Sequence, residues 1–322
     1  MKAAVYRQVG AARDVLHLDN VDRPEPKAGE VRIRVHISGV NPTDYKIRSG
    51  ATPRPIEEFQ IPHQDGAGVI DAVGAGVNPA RVGEAVWIWF AATRRWGTAA
   101  EWTVVPEEQA VALPRGASME LGASLGVPAI TAHRCLLADG PITGKSVLVA
   151  GGAGAVGHFA IELAHFCGAR VATTVSSDAK ARMAAAAGAD LVVNYRRDDA
   201  GQQLREFAEH IDRIVEVNLP ANFDLDLSLA GPETTIVTFA ATAEDPRLPV
   251  RACMSANLVL RFVLIYGLAI QDLLSATEDI TRAIAAHALT ELPVHRFALD
   301  DVVSAHEAVE AGVVGKVLVD TK

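Results

Sequence analysis

The chain of 322 residues is predicted to be an α/β protein, with a doubly wound parallel sheet in one domain and a β-rich barrel in another. Three observations carry this. Ser146–Ala150 is a short apolar strand that runs into a glycine-rich turn and a helix start. Beyond it, strand candidates alternate with helical segments, the pattern of a parallel sheet covered by helices. Before it, residues 1 to about 110 hold short alternating segments separated by Pro and Gly, the pattern of a small barrel.

The first domain opens with Val31–Ile37, Gly66–Val73, Glu84–Phe90 and Glu101–Val105, each read as a strand. From Ala117 to Leu137 the pattern turns helical and is expected to break at Pro128, which lacks a backbone donor. After Ser146–Ala150, the apolar positions Val156, Phe159, Ala160, Leu163, Ala164 and Cys167 recur at helical spacing, and Arg170–Val175 completes a βαβ unit. Further strands are expected at Leu191–Tyr195, Ile211–Asn218, Glu233–Ala240 and Leu258–Tyr266. A helix near Ser275–Ala288, a strand Val294–Leu299, a helix opened by Asp300–Asp301 and a last strand Gly315–Val319 follow. This tail departs from the βα rhythm and is assigned to the first domain. The expected division is residues 1–124 with 269–322, and residues 125–268.

Gly152, Gly154 and Gly157 fit G-x-G-x-x-G. The first allows a tight turn, the second lets the loop through Ala153, Ala155 and Val156 approach a pyrophosphate, and the third lets the helix pack closely on its strand. A glycine-rich turn in an unrelated α/β domain shares that spacing; the flanking strand, amphipathic helix and second strand favour a dinucleotide. The end of Arg170–Val175 then selects the cofactor. An NAD site places a carboxylate there for the ribose 2′-hydroxyl. Here Ser176 takes that place, followed by Ser177, Asp178, Lys180 and Arg182, hydroxyl and cationic groups suited to a 2′-phosphate. NADPH is therefore expected. Ser177 or Asp178 capping the helix that starts at Ala179 is compatible with this, because caps and phosphate ligands share one loop. Asn218, Phe239 and Ala240 end the fourth and fifth strands, where such a sheet holds its ligand.

The composition narrows the partners. A net charge of −9 and a pI near 5.6 argue against nucleic acid or an anionic membrane as partner. Cys135, Cys167 and Cys253 are too far apart for a disulfide framework or a C-x-x-C metal site. Met1–Tyr6 lacks the apolar core of a signal peptide, and the richest apolar stretch, Leu258–Ile270, is interrupted by Arg261. A cytoplasmic protein is expected.

Several stretches together resemble the zinc-free quinone oxidoreductases, the zeta-crystallin type of the medium-chain dehydrogenase/reductase superfamily. They are Gly39–Gly50, His63–Ile70, Gly97–Trp102, Gly126–Ala132, the cofactor loop, Ala305–Glu307 and Gly315–Val317, in family order over nearly the whole length. The resemblance implies a GroES-like β-barrel domain that the tail rejoins, a Rossmann domain, and a homodimer joined through Leu258–Tyr266. It also implies an NADPH:quinone oxidoreductase of the EC 1.6.5 class. Zinc relatives place Cys where this chain has Asn41 and His where it has Gln64, and amides are poor zinc donors. His63 and Asp65 flank Gln64 but point to opposite faces of an extended segment. No metal is expected.

Without a metal, a quinone or conjugated enone is the natural acceptor, because hydride addition gives a delocalised anion. By the resemblance, Asn41 lies near the nicotinamide and acceptor and donates to the developing oxyanion; its other reading is a turn residue before Pro42. Thr131 is similar to the family residue beside the nicotinamide, or is a helix hydroxyl bonded to its own backbone. Lys46 stands where many relatives have tyrosine, and either contacts a cofactor phosphate or is solvated. A second tyrosine of some relatives is absent from Ala51–Thr52–Pro53. Tyr195 resembles the residue against the adenosine end of NADPH, and Lys316 belongs to the closing family motif as a cofactor contact. His158 and His165 are read as solvated. Two alternatives share the fold: an NADPH-dependent enoyl or alkenal double-bond reductase, and a non-catalytic NADPH-binding protein.

Overall fold

The protein is described here as a computed structural model covering residues 1–52 and 54–322; Pro53 lies outside the described residues. Chain contacts divide it into two units, Met1–Val127 with Glu291–Lys322, and Pro128–Thr290.

Up to the first crossing run β1 (Lys2–Val5), α1 (Ala12–Val15), β2 (His17–Asn20), β3 (Glu30–Val40), α2 (Pro42–Ser49), β4 (Asp65–Val73), β5 (Ala85–Ile88), β6 (Trp102–Pro106) and β7 (Ala110–Ala112). Then α3 (Met119–Leu137) spans the crossing. The second unit continues with β8 (Ser146–Ala150), α4 (Ala155–Phe166), β9 (Arg170–Val175), α5 (Asp178–Ala186), β10 (Leu191–Asn194), α6 (Ala200–Phe207) and β11 (Ile211–Glu216). It closes with α7 (Leu219–Leu229), β12 (Ala230–Thr238), α8 (Val250–Ser255), β13 (Val259–Phe262) and α9 (Ile270–Ala285). The tail adds β14 (Val294–Ala298), α10 (Val302–Glu310) and β15 (Lys316–Asp320) to the first unit.

In the first unit β1 and β2 form an antiparallel pair, and the larger sheet runs β14-β15-β3-β4-β5-β7 with β6 on β3. Val31 and Ile33 of β3 pack with Ile70, Val86, Ile88 and Val105 in one core cluster, while Arg34, the residue after Ile33, faces solvent. The tail returns because β15 supplies an antiparallel partner to the end of β3, Val317 opposite Val40.

The second unit is a six-stranded parallel sheet in the order β10-β9-β8-β11-β12-β13, with Leu148, Ala172, Val193, Ile214 and Ile236 buried under its helices. The order reverses between β8 and β11, so their carboxyl ends open a crevice where such sheets hold a ligand.

Four expectations are corrected in detail. The helix through Pro128 is not broken: α3 continues past the proline, and Asp65 Oδ1 accepts the Val127 N–H at 2.8 Å, so the disturbed turn leaves no orphaned donor there. The helix expected near Ser275–Ala288 belongs with the second unit rather than with the tail, held by His133–Asp279 at 2.8 Å and Arg134–Asp272 at 3.1 Å. The strand expected at Leu258–Tyr266 stops at Phe262, because its neighbour β12 ends at Thr238 and leaves no ladder to extend. His158 is buried, with Nε2 3.2 Å from Glu162 Oε1.

At the end of β11, Glu216 is fully buried and Asp226 of α7 nearly so. Glu216 Oε1 accepts from the Asn218 N–H and from Asn222 Nδ2 at 3.0 Å. Burial and the charge of Glu216 push the Asp226 carboxyl up to about 9. The folded chain thus keeps a proton that an unfolded carboxyl releases near pH ~4. Stability is full below that pH and is lost as pH rises toward 9. Asp226→Asn should flatten this slope, and urea unfolding at pH 5 and pH 9 measures it.

Candidate cofactor site and buried polar cluster

In the second unit, the loop after β8 is shaped by what its glycines exclude. Gly151 takes φ +73°, turning the chain back. A Cβ on Gly152 would fall 2.2 Å from Thr173 Oγ1, and one on Gly157 would fall 2.5 Å from the Gly151 carbonyl. Both positions therefore require glycine for packing. Gly154 differs: a Cβ there meets only the Gly151 carbonyl at 3.4 Å, so nothing in the protein forbids a side chain. Glycine at 154 instead leaves backbone open to an incoming group. Gly154 is also the N-cap of α4 and has no side chain to satisfy the first-turn N–H groups, which with the helix dipole suit a phosphate. Ala153 is buried, and Ala155 and Val156 are half-buried in the first turn.

At the end of β9, Lys180 Nζ donates to Ser176 Oγ at 3.0 Å, and Ser177 Oγ caps α5 by accepting the Lys180 N–H at 3.3 Å. The nearby carboxylate, Asp178, is engaged by Arg197 Nη1 at 3.0 Å and Asn194 Nδ2 at 3.3 Å. Tyr195 follows β10 and is 54% exposed, with the exposed Arg196 and Arg197 beside it. These two arginines escaped the sequence reading, although two cations directly after Tyr195 were a visible signal. Asn218 is exposed at the N-cap of α7, and Phe239 and Ala240 are half-buried just past β12. Thr131 is buried in α3 and lies in this unit.

The first unit holds Asn41, Lys46 and Lys316. Asn41, at the start of α2, is 2% exposed. Its backbone N–H donates to Asp44 Oδ2 at 2.7 Å, and its Nδ2 donates to Asp65 Oδ2 at 2.6 Å. Lys316 Nζ donates to Asn41 Oδ1 at 2.8 Å and lies 3.6 Å from Asp65 Oδ2. Lys316, expected as a cofactor contact, is thus enclosed with Asn41 instead, while Lys46 is half-buried on α2. Burial pushes the Asp44 carboxyl up to about 8, with the Asp65 charge adding to it. Burial raises Asp65 too, against the pull of Lys316, and lowers the Lys316 ammonium, against the pull of Asp65.

Gln64 is fully buried, and among the described residues neither polar atom of its side chain has a partner. His63, one residue earlier, takes φ +75° and is held by Ser38 Oγ at 2.7 Å on Nδ1 and by His306 Nε2 at 3.0 Å on Nε2. His63 and Asp65 thus turn to different partners. No group of three or more His, Cys, Asp and Glu among the described residues is placed to hold a metal ion.

The alcohol dehydrogenase GroES-like domain model matches residues 27–115, and the zinc-binding dehydrogenase model matches residues 155–282. A GroES-like unit joined to a dinucleotide-binding unit is the make-up of the medium-chain dehydrogenases/reductases. The quinone oxidoreductase of Pongo abelii is 30% identical over 253 residues, covering 77% of this chain and 76% of that protein. The chloroplastic NADPH-dependent alkenal/one oxidoreductase of Arabidopsis thaliana is 34% identical over 209 residues, 62% of this chain and 53% of that protein. A solved NAD-dependent alcohol dehydrogenase superposes with a TM-score of 0.90 at 26% identity, covering all of both chains. The chain belongs to the quinone oxidoreductase family of the medium-chain dehydrogenase/reductase superfamily.

The two glycines predict opposite phenotypes. Gly157→Ala should destabilise the second unit by ~1–3 kcal/mol through overpacking, seen as a lower Tm. Gly154→Ala should leave Tm unchanged and weaken NADPH binding by about tenfold or more, or ~1.4 kcal/mol, read by fluorescence titration.

Proposed function

We propose that the chain is an NADPH-dependent reductase of quinones or related conjugated carbonyls that works without a metal. The observation that carries the cofactor assignment is the Lys180–Ser176 pair at the end of β9, a hydroxyl and a cation where an NAD site places a carboxylate. In this reading Ser176, Ser177 and Lys180 hold the 2′-phosphate and Tyr195 lies along the adenosine end. Gly152, Ala153, Gly154, Ala155 and Val156 carry the pyrophosphate at the start of α4, and Asn218, Phe239 and Ala240 border the crevice. The bound nicotinamide supplies the hydride. Asn41 donates to the acceptor oxygen as it gains charge, Thr131 lies beside the nicotinamide, and Lys46 flanks the acceptor. An enone acceptor is a second reading, favoured by the likeness to the alkenal/one oxidoreductase.

We further assign a homodimer to the edge of the parallel sheet. Among the described residues β13 pairs on one side only, and its last residue Phe262 and the following Leu264 are 71% and 70% exposed. An exposed edge strand bearing apolar side chains invites pairing with a second copy. The three unpaired cysteines fit a reducing, cytoplasmic setting.

Oxidation of NADPH and NADH with naphthoquinones, o-quinones and 2-alkenals tests the function. NADPH turnover with one of these classes is expected, and equal turnover of NADH would overturn the cofactor assignment. Lys180→Ala should raise the KM for NADPH about tenfold, in line with the ~1.5–3 kcal/mol of a charged hydrogen bond, and leave that for NADH unchanged. Phe262→Glu should convert a dimer to a monomer in analytical ultracentrifugation.

A further inference from the structure

Lysine is almost never fully buried unless it is paired, yet Lys316 is 2% exposed. The backbone puts it there. Gly315 takes φ +109°, and a Cβ on it would fall 2.2 Å from the Pro293 carbonyl, so glycine is required for β15 to begin at this point. The Lys316 N–H then donates to that carbonyl at 2.8 Å. With Val317 opposite Val40, Lys316 lies beside the chain where β3 ends and Asn41 begins the next turn. Asp65 is fixed from its other side by the Val127 N–H, and Gly126 makes room for it, since a Cβ there would meet Asp65 Oδ1 at 2.2 Å.

The contacts settle how the Asn41 amide is turned. An ammonium group has donors only, so the atom 2.8 Å from Lys316 Nζ is the amide oxygen, and the nitrogen faces the Asp65 carboxylate at 2.6 Å. One amide N–H is spent on Asp65. The other meets no acceptor among the described residues. A cation bonded to the amide oxygen draws charge from the nitrogen and strengthens that remaining N–H as a donor.

We propose that Lys316 is a positioning residue for Asn41: by holding Oδ1 it fixes the amide so that the free, polarised N–H is presented to the oxygen of a carbonyl acceptor that becomes anionic as hydride arrives. This rests on the reading of the chain as a quinone or enone reductase. It replaces contact between Lys316 and the cofactor, because the ammonium is turned onto Asn41 Oδ1 and Asp65 Oδ2.

The test uses the full chain, with NADPH Kd and kcat at saturating NADPH measured separately. Lys316→Met should lose kcat by about tenfold or more while the NADPH Kd stays within about twofold, and Lys316→Arg should recover most of the loss. Asn41→Ala should cost about 100-fold, the scale of a lost oxyanion donor, and the double variant Asn41→Ala/Lys316→Met should be no slower than Asn41→Ala alone. If Lys316→Met fails to fold, Lys316→Gln with Asp65→Asn keeps a neutral hydrogen-bonded pair and should show the same kcat loss. A weakened NADPH Kd with kcat intact would overturn the proposal in favour of a cofactor contact, as would additive losses in the double variant. Should the wild-type chain reduce no acceptor at all, the functional reading fails. The positioning is then decided by the Asn41 side-chain amide resonances in a 1H–15N spectrum, identified by their loss in Asn41→Ala. They should move in the Lys316→Gln/Asp65→Asn variant, and unmoved resonances would overturn the proposal.

Discussion

A single ammonium group enclosed among carboxyls organises the first unit. Taking Lys316 out of water costs several kcal/mol, and the cost is offset only where Asp65 and Asn41 stand as they do. That requirement couples the start of β15, the end of β3 and the start of β4, segments far apart in the chain. A buried ion pair is weak evidence for stability in itself, since apolar side chains of the same volume often do as well. Its effect here is selective. A tail strand shifted by one residue along β3 would bring Val317 to Asn41 and leave Asp65 as an uncompensated charge.

The second unit is built on the opposite plan. The first unit encloses Asn41, Asp65 and Lys316, which bond one another, whereas the loop after β8 works by removing side chains. Gly152 and Gly157 let β9 and α4 come close to the turn, and Gly154 leaves bare backbone at a helix start. The groups proposed to hold the 2′-phosphate, Ser176 and Lys180, sit one strand over on a separate turn. In the proposed reading, gripping the dinucleotide and choosing between its phosphorylated and unphosphorylated forms are therefore separable tasks, carried by different residues.

The glycine spacing, the strands that feed it and the alternation of strand and helix were legible in the sequence because each depends on local pattern. Where contact across the fold decides, the sequence was silent. Pro128 read as a break, yet a carboxylate from β4 satisfies the donor next to it and α3 continues. Leu258–Tyr266 read as one strand by its apolar run, yet a strand ends where its neighbour does. Gln64 and Asp65 were visible only as part of a metal question, and Asp44 only within the Gly39–Gly50 stretch, because nothing in a single sequence says that a carboxyl is buried. Lys316 stood in the sequence only as a cation in a closing motif, because the strand pairing that shows what it faces is not written there. His158 lies on a helix face that looks polar and is buried by contacts that a helical pattern does not contain.

The thiols carry a consequence for a protein that handles quinones and enones. Such acceptors are electrophiles and alkylate thiolates, the reactive form of cysteine. Burial pushes the Cys135 thiol up to about 12 and raises Cys167 as well. At neutral pH Cys135 offers almost no thiolate, and Cys167 offers less than a free thiol would. The chain is thereby protected at these two positions from covalent capture by the compounds it reduces.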